Sequence, residues 1–164
     1  MSVRLSFSHV LQSFIINMKI VLACDHAGFL LKQELLQYIS SIGHTVIDAG
    51  TFSDLPVDYP VIGQKAARMV ANGDADRAVL VCGTGFGISL AANSVQDIRC
   101  VNCTESYTAR LSRQHNDSNA IAFGARVIGV EAAKYITDIW LNTEFDGGRH
   151  AFRVNMLTEM KNTP

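Results

Sequence analysis

The sequence contains little of what marks a secreted, membrane-spanning or nucleic-acid-binding protein. Only three of its 164 residues are proline, and charged residues make up 18% of the chain with a formal net charge of −1. This low and balanced charge excludes charge-driven disorder and gives no basic footprint for nucleic acid. No run approaches the roughly 18 apolar residues of a membrane helix. Four cysteines without a convincing secretory signal favour a reducing compartment, so we expect free thiols, a cytoplasmic protein and a small partner.

Residues 1–17 differ in pattern from the rest of the chain. Polar residues interrupt each apolar stretch there, and a second methionine, Met18, opens the first strong strand pattern. A signal peptide needs a basic start and a continuous apolar core of roughly 7–15 residues, and this segment has neither. We therefore expect residues 1–17 to be a leader outside the fold and residues 18–164 to form one domain.

From Met18 onward, short apolar runs alternate with helical patterns. The runs lack strict alternation of apolar and polar residues, which is typical of strands buried on both faces of a parallel sheet; they lie at 19–23, 45–47, 78–82, 98–101 and 120–123. Gly43 and Gly73 stand where the first two helices should end, and Pro56 and Pro60 are expected in the loop after the second strand. The pattern predicts an α/β, three-layer Rossmann-like fold with about five parallel strands flanked by helices.

The glycine-rich stretch after the third strand is the most informative part of the sequence. Gly83, Gly85 and Gly87 alternate and open a helix, so backbone N–H groups should form an anion-binding nest there. The spacing does not match the dinucleotide fingerprint, and no Gly-Lys-Ser/Thr follows as in a P-loop. Cys82 precedes the nest, where a helix N-terminus favours thiolate, and is a candidate base or nucleophile. A small buried hydrophobic residue is the structural alternative.

Three other groups are candidates, each with an ordinary structural alternative. Asp25 and His26 follow the first strand. They could be an acid/base pair or substrate ligands; alternatively, Asp25 caps a helix and His26 is exposed. His115 lies in a polar segment and could exchange protons near neutral pH, although a surface loop explains that composition equally well. Arg149 and Arg153 stand four residues apart at a helix start, which suits either phosphate or a solvated helix face.

Five motifs follow one another in a characteristic order: Cys24-Asp25-His26, Asp58-Tyr59-Pro60, Cys82-Gly83-Thr84-Gly85-Phe86-Gly87-Ile88-Ser89, Arg113-Gln114-His115-Asn116 and Gly147-Gly148-Arg149-His150. Together they resemble the ribose-5-phosphate isomerase B family, which also includes galactose-6-phosphate and allose-6-phosphate isomerases. The resemblance covers about residues 18–160. It implies interconversion of ribose 5-phosphate and ribulose 5-phosphate through a cis-enediolate, without a metal or cofactor and with a small phosphorylated sugar as partner.

The resemblance also implies roles for individual residues. Cys82 would move the proton between C2 and C1, and His115 would open the furanose ring with help from Asp25. Thr84 would assist the loop in stabilising the enediolate, and that loop consists of Gly83, Thr84, Gly85, Phe86 and Gly87. The remaining positions would hold hydroxyls and phosphate or line the pocket: His26, Tyr59, Asn116, Arg149 and Arg153. Family members are dimers or dimers of dimers with shared sites, so we expect the C-terminal helix to reach a partner subunit.

Several alternatives remain open from the residues alone. Some family members use a glutamate in the helix after the nest, but residues 88–93 contain no acid here, which favours the cysteine. Phe86 is bulkier than the expected small aliphatic residue, so another aldose phosphate such as allose 6-phosphate is an alternative substrate. A non-catalytic phosphosugar-binding domain on the same fold is the other alternative. Cys100 and Cys103 lack nearby ligands to complete a tetrahedral site, so no metal is expected.

Overall fold

The computed structural model describes residues 17–162, in which five strands and six helices follow one another along the chain. The strands are β1 (Lys19–Cys24), β2 (Thr45–Asp48), β3 (Arg77–Cys82), β4 (Cys100–Asn102) and β5 (Ala120–Gly124). The helices are α1 (Phe29–Ser41), α2 (Tyr59–Ala71), α3 (Phe86–Asn93), α4 (Ser106–Asn116), α5 (Val130–Leu141) and α6 (Arg149–Asn162). A short 3₁₀ turn, His26–Gly28, precedes α1. The alternation predicted from the sequence is therefore confirmed.

All strand pairs are parallel, and the strands lie side by side in the order β2-β1-β3-β5-β4. The chain moves from β1 outward to β2 and then crosses to β3 on the other side of β1. The carboxyl ends of β1 and β3 therefore form the point where the strand order reverses. Open α/β sheets bind their ligands in the crevice at such a point.

Helices cover both faces of the sheet, and β1 contributes to both layers. Ile20, Leu22 and Cys24 face one hydrophobic cluster, which includes Trp140 of α5. Val21 and Ala23 face the other, together with residues of α2 and α3 such as Ile88. Because the strands are buried on both faces, their sequences are continuous apolar runs. The predicted three-layer arrangement of helices, sheet and helices is confirmed.

Glycine ends the first two helices, as predicted. Gly43 and Gly73 adopt the left-handed backbone with φ of 96° and 80°, which suits glycine just past a helix end. The prediction for Pro60 was wrong, because this proline lies in the first turn of α2 rather than in the preceding loop. A proline is well placed there, since the first N–H groups of a helix have no intrahelical acceptor.

The predicted fourth strand started two residues too early. The N–H of Arg99 donates to Oδ1 of Asn119 (2.8 Å) instead of joining the sheet, so β4 begins at Cys100. The Asn93 side chain then bonds both the N–H and the carbonyl of Cys100, each at 2.8 Å. This amide occupies backbone groups at an edge strand that would otherwise lack partners.

The amino-terminal boundary can be compared with the prediction only in part, because residues 1–16 lie outside the described residues. Asn17, which the prediction assigned to the leader, accepts a hydrogen bond from the N–H of Thr45 (3.1 Å) and so contacts the fold. Among the described helices, none has the length and apolar character needed to cross a membrane.

Candidate active site

Cys82 lies at the carboxyl end of β3 and is 4% exposed. Its Sγ accepts a hydrogen bond from the N–H of Gly85 (3.1 Å), and its carbonyl accepts one from the N–H of Ala125 (2.8 Å). The thiol therefore faces the first turn of α3, where the helix dipole presents its positive end. A backbone donor at a helix start thus lies directly beside the sulfur.

The glycine loop between Cys82 and α3 has the form of the predicted nest. Gly85 adopts a φ of 82°, and its carbonyl accepts the first helical bond of α3 from the N–H of Ser89 (3.2 Å). The N–H groups of residues 86–88 come before that bond and have no acceptor within the helix. Gly124 allows the close packing of the loop on β5, because a Cβ there would lie 2.7 Å from the backbone of Thr84. The loop thus presents donors to an anion.

Asp25 and His26 lie beside this loop at the end of β1. The N–H of Asp25 donates to the carbonyl of Val81 (3.1 Å), and its carboxylate accepts from the N–H of Gly28 (3.1 Å) as a cap of the 3₁₀ turn. Nδ1 of His26 accepts from the N–H of Val57 (3.3 Å). This bond connects the ring to the loop before α2.

Tyr59 closes the same cleft from the start of α2. A Cβ on Gly87 would lie 2.7 Å from the Tyr59 ring, so the ring packs directly on the glycine loop. The structure thus brings the predicted residues of the sheet's carboxyl edge together. We call this group the thiol half-site; it comprises Asp25, His26, Tyr59, Cys82, Gly83, Thr84, Gly85, Phe86 and Gly87.

Two residues that contact the thiol half-site were not predicted from the sequence. Arg126 follows β5, and its Nη1 lies 3.4 Å from the place where a Cβ on Gly83 would be. Asn102 ends β4 and donates from Nδ2 to the carbonyl of Thr84 (3.2 Å). Each stands at or just after a strand's carboxyl end, so examining every strand end, including the fifth, would have found both.

The remaining predicted residues form a second group around His115. The imidazole rings of His115 and His150 stack with centroids 4.3 Å apart and an interplanar angle of 3°. Burial, His115 and the nearby Arg149 and Arg153 lower the pKa of His150, while Asp146 opposes them. We call this group the imidazole half-site; it comprises His115, Asn116, Asp146, Arg149, His150 and Arg153.

Arg149 and Arg153 lie on the first turns of α6 with exposed side chains. Within residues 17–162, neither guanidinium makes a hydrogen bond or an ion pair with another side chain. Two such groups one helical turn apart are suited to a phosphate ester.

The two half-sites lie at opposite edges of the sheet. Cys82 pairs with Gly124 at the carboxyl end of β5. The His115 end of α4 is tied to the amino edge, where Nε of Arg99 donates to the carbonyl of Asn116 (3.1 Å). A five-residue strand spans about 13 Å between these edges. One chain therefore does not bring Cys82 and His115 together.

The imidazole half-site also contains a possible metal-ligand set. His115, Asp146 and His150 each offer one donor atom, and these atoms lie within 4.8 Å of one another. Nearly parallel stacked rings, however, direct their in-plane nitrogen lone pairs side by side rather than toward one point. The adjacent Arg149 and Arg153 further disfavour a cation, so the group fits an anionic ligand better.

The comparison with protein families decides the identity of the fold. A family model described as Ribose/Galactose Isomerase matches residues 20–157. The chain belongs to the ribose/galactose isomerase family. The match spans both half-sites.

Individual members of the ribose/galactose isomerase family are similar over nearly the whole described chain. Ribose-5-phosphate isomerase B of Escherichia coli is 50% identical over 143 residues, which cover 87% of this chain and 96% of that protein. Galactose-6-phosphate isomerase subunit LacB of Clostridium acetobutylicum is 40% identical over 128 residues, 78% of this chain and 74% of that one. The solved structure of ribose-5-phosphate isomerase B from Clostridium thermocellum has a TM-score of 0.87 at 49% identity, covering 88% of this chain and 98% of that one.

The other thiols of this ribose/galactose isomerase family member are chemically distinct from Cys82. Burial raises the pKa of Cys24 to about 11, although Lys32 opposes this effect. Burial likewise raises the pKa of Cys103 to about 11 and raises that of Cys100. These three side chains are inert as bases near neutral pH.

Proposed function

We propose that this protein is an aldose–ketose isomerase that interconverts ribose 5-phosphate and ribulose 5-phosphate. The observation that carries the proposal is the thiol of Cys82, which lies at the switch point of the sheet against the Gly85 N–H and the start of α3. Membership of the ribose/galactose isomerase family supports the same reaction. The four free cysteines fit a reducing compartment, and the cytoplasmic location stays a prediction.

The thiolate of Cys82 acts as the base in the proposed reaction. It takes the C2 proton of open-chain ribose 5-phosphate, and the electron pair of that C–H bond forms the enediolate while O1 becomes anionic. The O2 proton passes to O1, which leaves the negative charge on O2, and the thiol then returns its proton to C1 as the carbonyl forms at C2. The same group takes and returns one proton, so no external acid, oxidant or metal is needed.

The glycine loop and its neighbours stabilise the enediolate. Its charge develops on O1 and O2, where the N–H groups at the start of α3 and the Thr84 hydroxyl would donate, and the Arg126 guanidinium beside Gly83 would add a positive charge. Removing one donor from comparable oxyanion sites costs about 3–4 kcal/mol of transition-state stabilisation. Asp25, His26 and Tyr59 hold the sugar in the cleft.

The imidazole half-site opens the ring and binds the phosphate, and we propose that a second copy of the chain supplies it. His115 exchanges the proton of the ring oxygen, Asn116 holds a hydroxyl, and Arg149 and Arg153 take the phosphate. Because one chain separates these residues from Cys82, a symmetric dimer would complete two sites at once. Exposed apolar side chains beside each half-site fit such an interface: Phe86 and Leu90 on α3, and Phe152, Met156 and Met160 on α6.

Another aldose phosphate is the alternative substrate. A galactose-6-phosphate isomerase subunit is 40% identical to this chain, and none of the proposed contacts measures the length of the sugar. Phe86, which is bulkier than the small aliphatic residue expected there, is 66% exposed. Comparing kcat/KM for ribose 5-phosphate, allose 6-phosphate and erythrose 4-phosphate distinguishes the candidates. A preference for ribose 5-phosphate is expected.

Replacing Cys82 tests the proposal directly. We expect Cys82→Ala to lower kcat by about 10²–10⁴-fold with little change in substrate binding, because the variant lacks the base. Cys103→Ala, which removes a buried thiol outside the half-sites, is the matched control and should retain activity. Near-normal kcat in Cys82→Ala would exclude the thiol from the reaction. Binding without turnover in the wild type would instead support a phosphosugar-binding domain.

A further inference from the structure

Asp117 follows the His115-Asn116 pair and ends α4. Its backbone is left-handed with a φ of 46°, which aspartate tolerates better than most residues. Its carboxylate accepts from Nη2 of Arg99 (2.9 Å) through one oxygen and from Nη1 of Arg113 (2.8 Å) through the other. One carboxylate therefore joins two guanidinium groups.

Both arginines also bond backbone carbonyls, Arg99 from the residue before β4 and Arg113 from the last turn of α4 itself. Nε of Arg99, directly before β4, donates to the carbonyls of Asn116 (3.1 Å) and Asp117 (2.9 Å). Arg113, which is 5% exposed, donates to the carbonyls of Ser118 (2.6 Å) and Thr143 (3.2 Å). The Ser118 hydroxyl in turn accepts from Nε1 of the buried Trp140 (2.8 Å).

These contacts connect the two chain segments that form the imidazole half-site. Thr143 lies in the connection between α5 and α6, which also carries Asp146 and leads to His150. The N–H of Asp146 bonds the carbonyl of Gln114 (3.1 Å), directly before His115. The end of a helix frays when its last carbonyls lack partners, and here Arg99 and the N–H of Asp146 bond two of them.

We infer that Asp117 is a positioning residue that fixes His115 and Asn116 for ring opening. This inference rests on the proposed role of His115. The carboxylate offsets the repulsion between Arg99 and Arg113, and together the three side chains hold the last turn of α4 against the connection before α6. Without the negative charge, the two guanidinium groups separate and the His115 ring loses its fixed orientation.

Ring opening can be measured separately from proton transfer at carbon. The α and β furanose anomers of ribose 5-phosphate interconvert only through the open chain, so NMR exchange spectroscopy reports ring opening in a Cys82→Ala background. Deuterium incorporation at C1 of ribulose 5-phosphate, which has no furanose ring to open, reports proton transfer in variants that retain Cys82. The variants are Asp117→Asn, His115→Ala and, as the matched aspartate control on α5, Asp138→Asn.

We expect Asp117→Asn to slow enzyme-catalysed anomer exchange by about tenfold, the effect of a small misplacement of a reacting group. Deuterium incorporation at saturating ribulose 5-phosphate should stay close to the wild-type rate, and Asp138→Asn should change neither measurement. Unchanged anomer exchange, or an equal loss in both measurements, would overturn the inference. If His115→Ala also leaves anomer exchange unchanged, His115 does not open the ring and the proposed role of His115 is wrong. If His115→Ala abolishes exchange and Asp117→Asn does not, only the role of Asp117 is lost.

Discussion

Cys24 and Cys82 end neighbouring strands, yet their side chains face opposite layers of the sheet. Cys24 is enclosed by apolar side chains, and burial raises its pKa to about 11. Cys82 meets a backbone N–H at a helix start instead. Two strand-end thiols thus have different surroundings, because successive side chains of a strand point to opposite faces and β3 ends one residue further along the sheet than β1.

Arg149 provides a test of the proposed phosphate contact. Charge-assisted hydrogen bonds contribute about 1.5–3 kcal/mol, so Arg149→Ala should raise KM for ribose 5-phosphate about 10–100-fold with a smaller effect on kcat. Steady-state kinetics with ribose 5-phosphate and with unphosphorylated ribose measure the difference. Arg110→Ala, an exposed arginine on α4 outside the half-sites, serves as control. An equal loss with both substrates would contradict the phosphate assignment.

Removing metal ions tests the donor set of the imidazole half-site. We expect incubation with EDTA to leave kcat and KM unchanged, since the proposed reaction uses only protein side chains and the stacked rings do not converge on one point. The measurement compares the treated enzyme with the same sample after adding Zn²⁺ or Mn²⁺. Loss of activity on chelation that a divalent ion restores would require a metal in the mechanism.

At the scale of secondary-structure elements, Lys32 links α1 to the end of β2. This lysine is completely buried, and its Nζ donates to both carboxylate oxygens of Asp48 (2.5 and 2.7 Å) and to the carbonyl of Thr51 (2.8 Å). The N–H of Thr51 bonds the carbonyl of Cys24 (2.8 Å), directly before Asp25. The ion pair therefore supports the segment around Thr51, which bonds the end of β1 directly before Asp25 of the thiol half-site.

Replacing this lysine should destabilise the protein. Lys32→Met keeps the length of the side chain but leaves Asp48 and the Thr51 carbonyl without their donor, and we expect the free energy of unfolding to fall by about 2–3 kcal/mol. Urea unfolding followed by circular dichroism gives the value. Lys134→Met, which removes a half-buried lysine paired with the exposed Glu34 and Glu131, should show a much smaller change. Equal stability of Lys32→Met and the wild type would show that the pair contributes nothing net.

At the scale of the whole molecule, the sheet itself separates the two half-sites. Helices in a parallel α/β fold run back from the carboxyl edge to the amino edge, so a residue at the end of α4 lies far from one at the end of β3. The shared site proposed between two copies would allow Cys82 and His115 to act on one substrate.

Mixed dimers test this arrangement. Cys82→Ala and His115→Ala should each be inactive alone, but a heterodimer has one site with both defects and one site with none. Random mixing of equal amounts should therefore restore about a quarter of the wild-type activity. Unfolding and refolding the two variants together, with each variant refolded separately as control, measures the recovery. No recovery, with heterodimers demonstrated by differently tagged chains, would place the whole site within one chain.

The sequence predicted the number of strands, their parallel direction and the glycine nest, because those features depend on local patterns. Apolar runs mark doubly buried strands, and alternating glycines can be recognised without knowledge of distant contacts. The start of β4 could not be predicted in this way. Its boundary depends on the bond from Arg99 to Asn119, which lie twenty residues apart.

By itself, the sequence determined the three-layer fold, the position of Cys82 before a nest of N–H donors, and the motifs that the ribose/galactose isomerase family shares. Only the tertiary structure showed that these motifs form two separate groups, that Arg126 and Asn102 contact the thiol half-site, and that Asp117 joins Arg99 and Arg113 at the end of α4. Local pattern fixes which residues form a strand or a helix. Which of them meet depends on the order of strands in the sheet and on contacts between residues far apart in the chain.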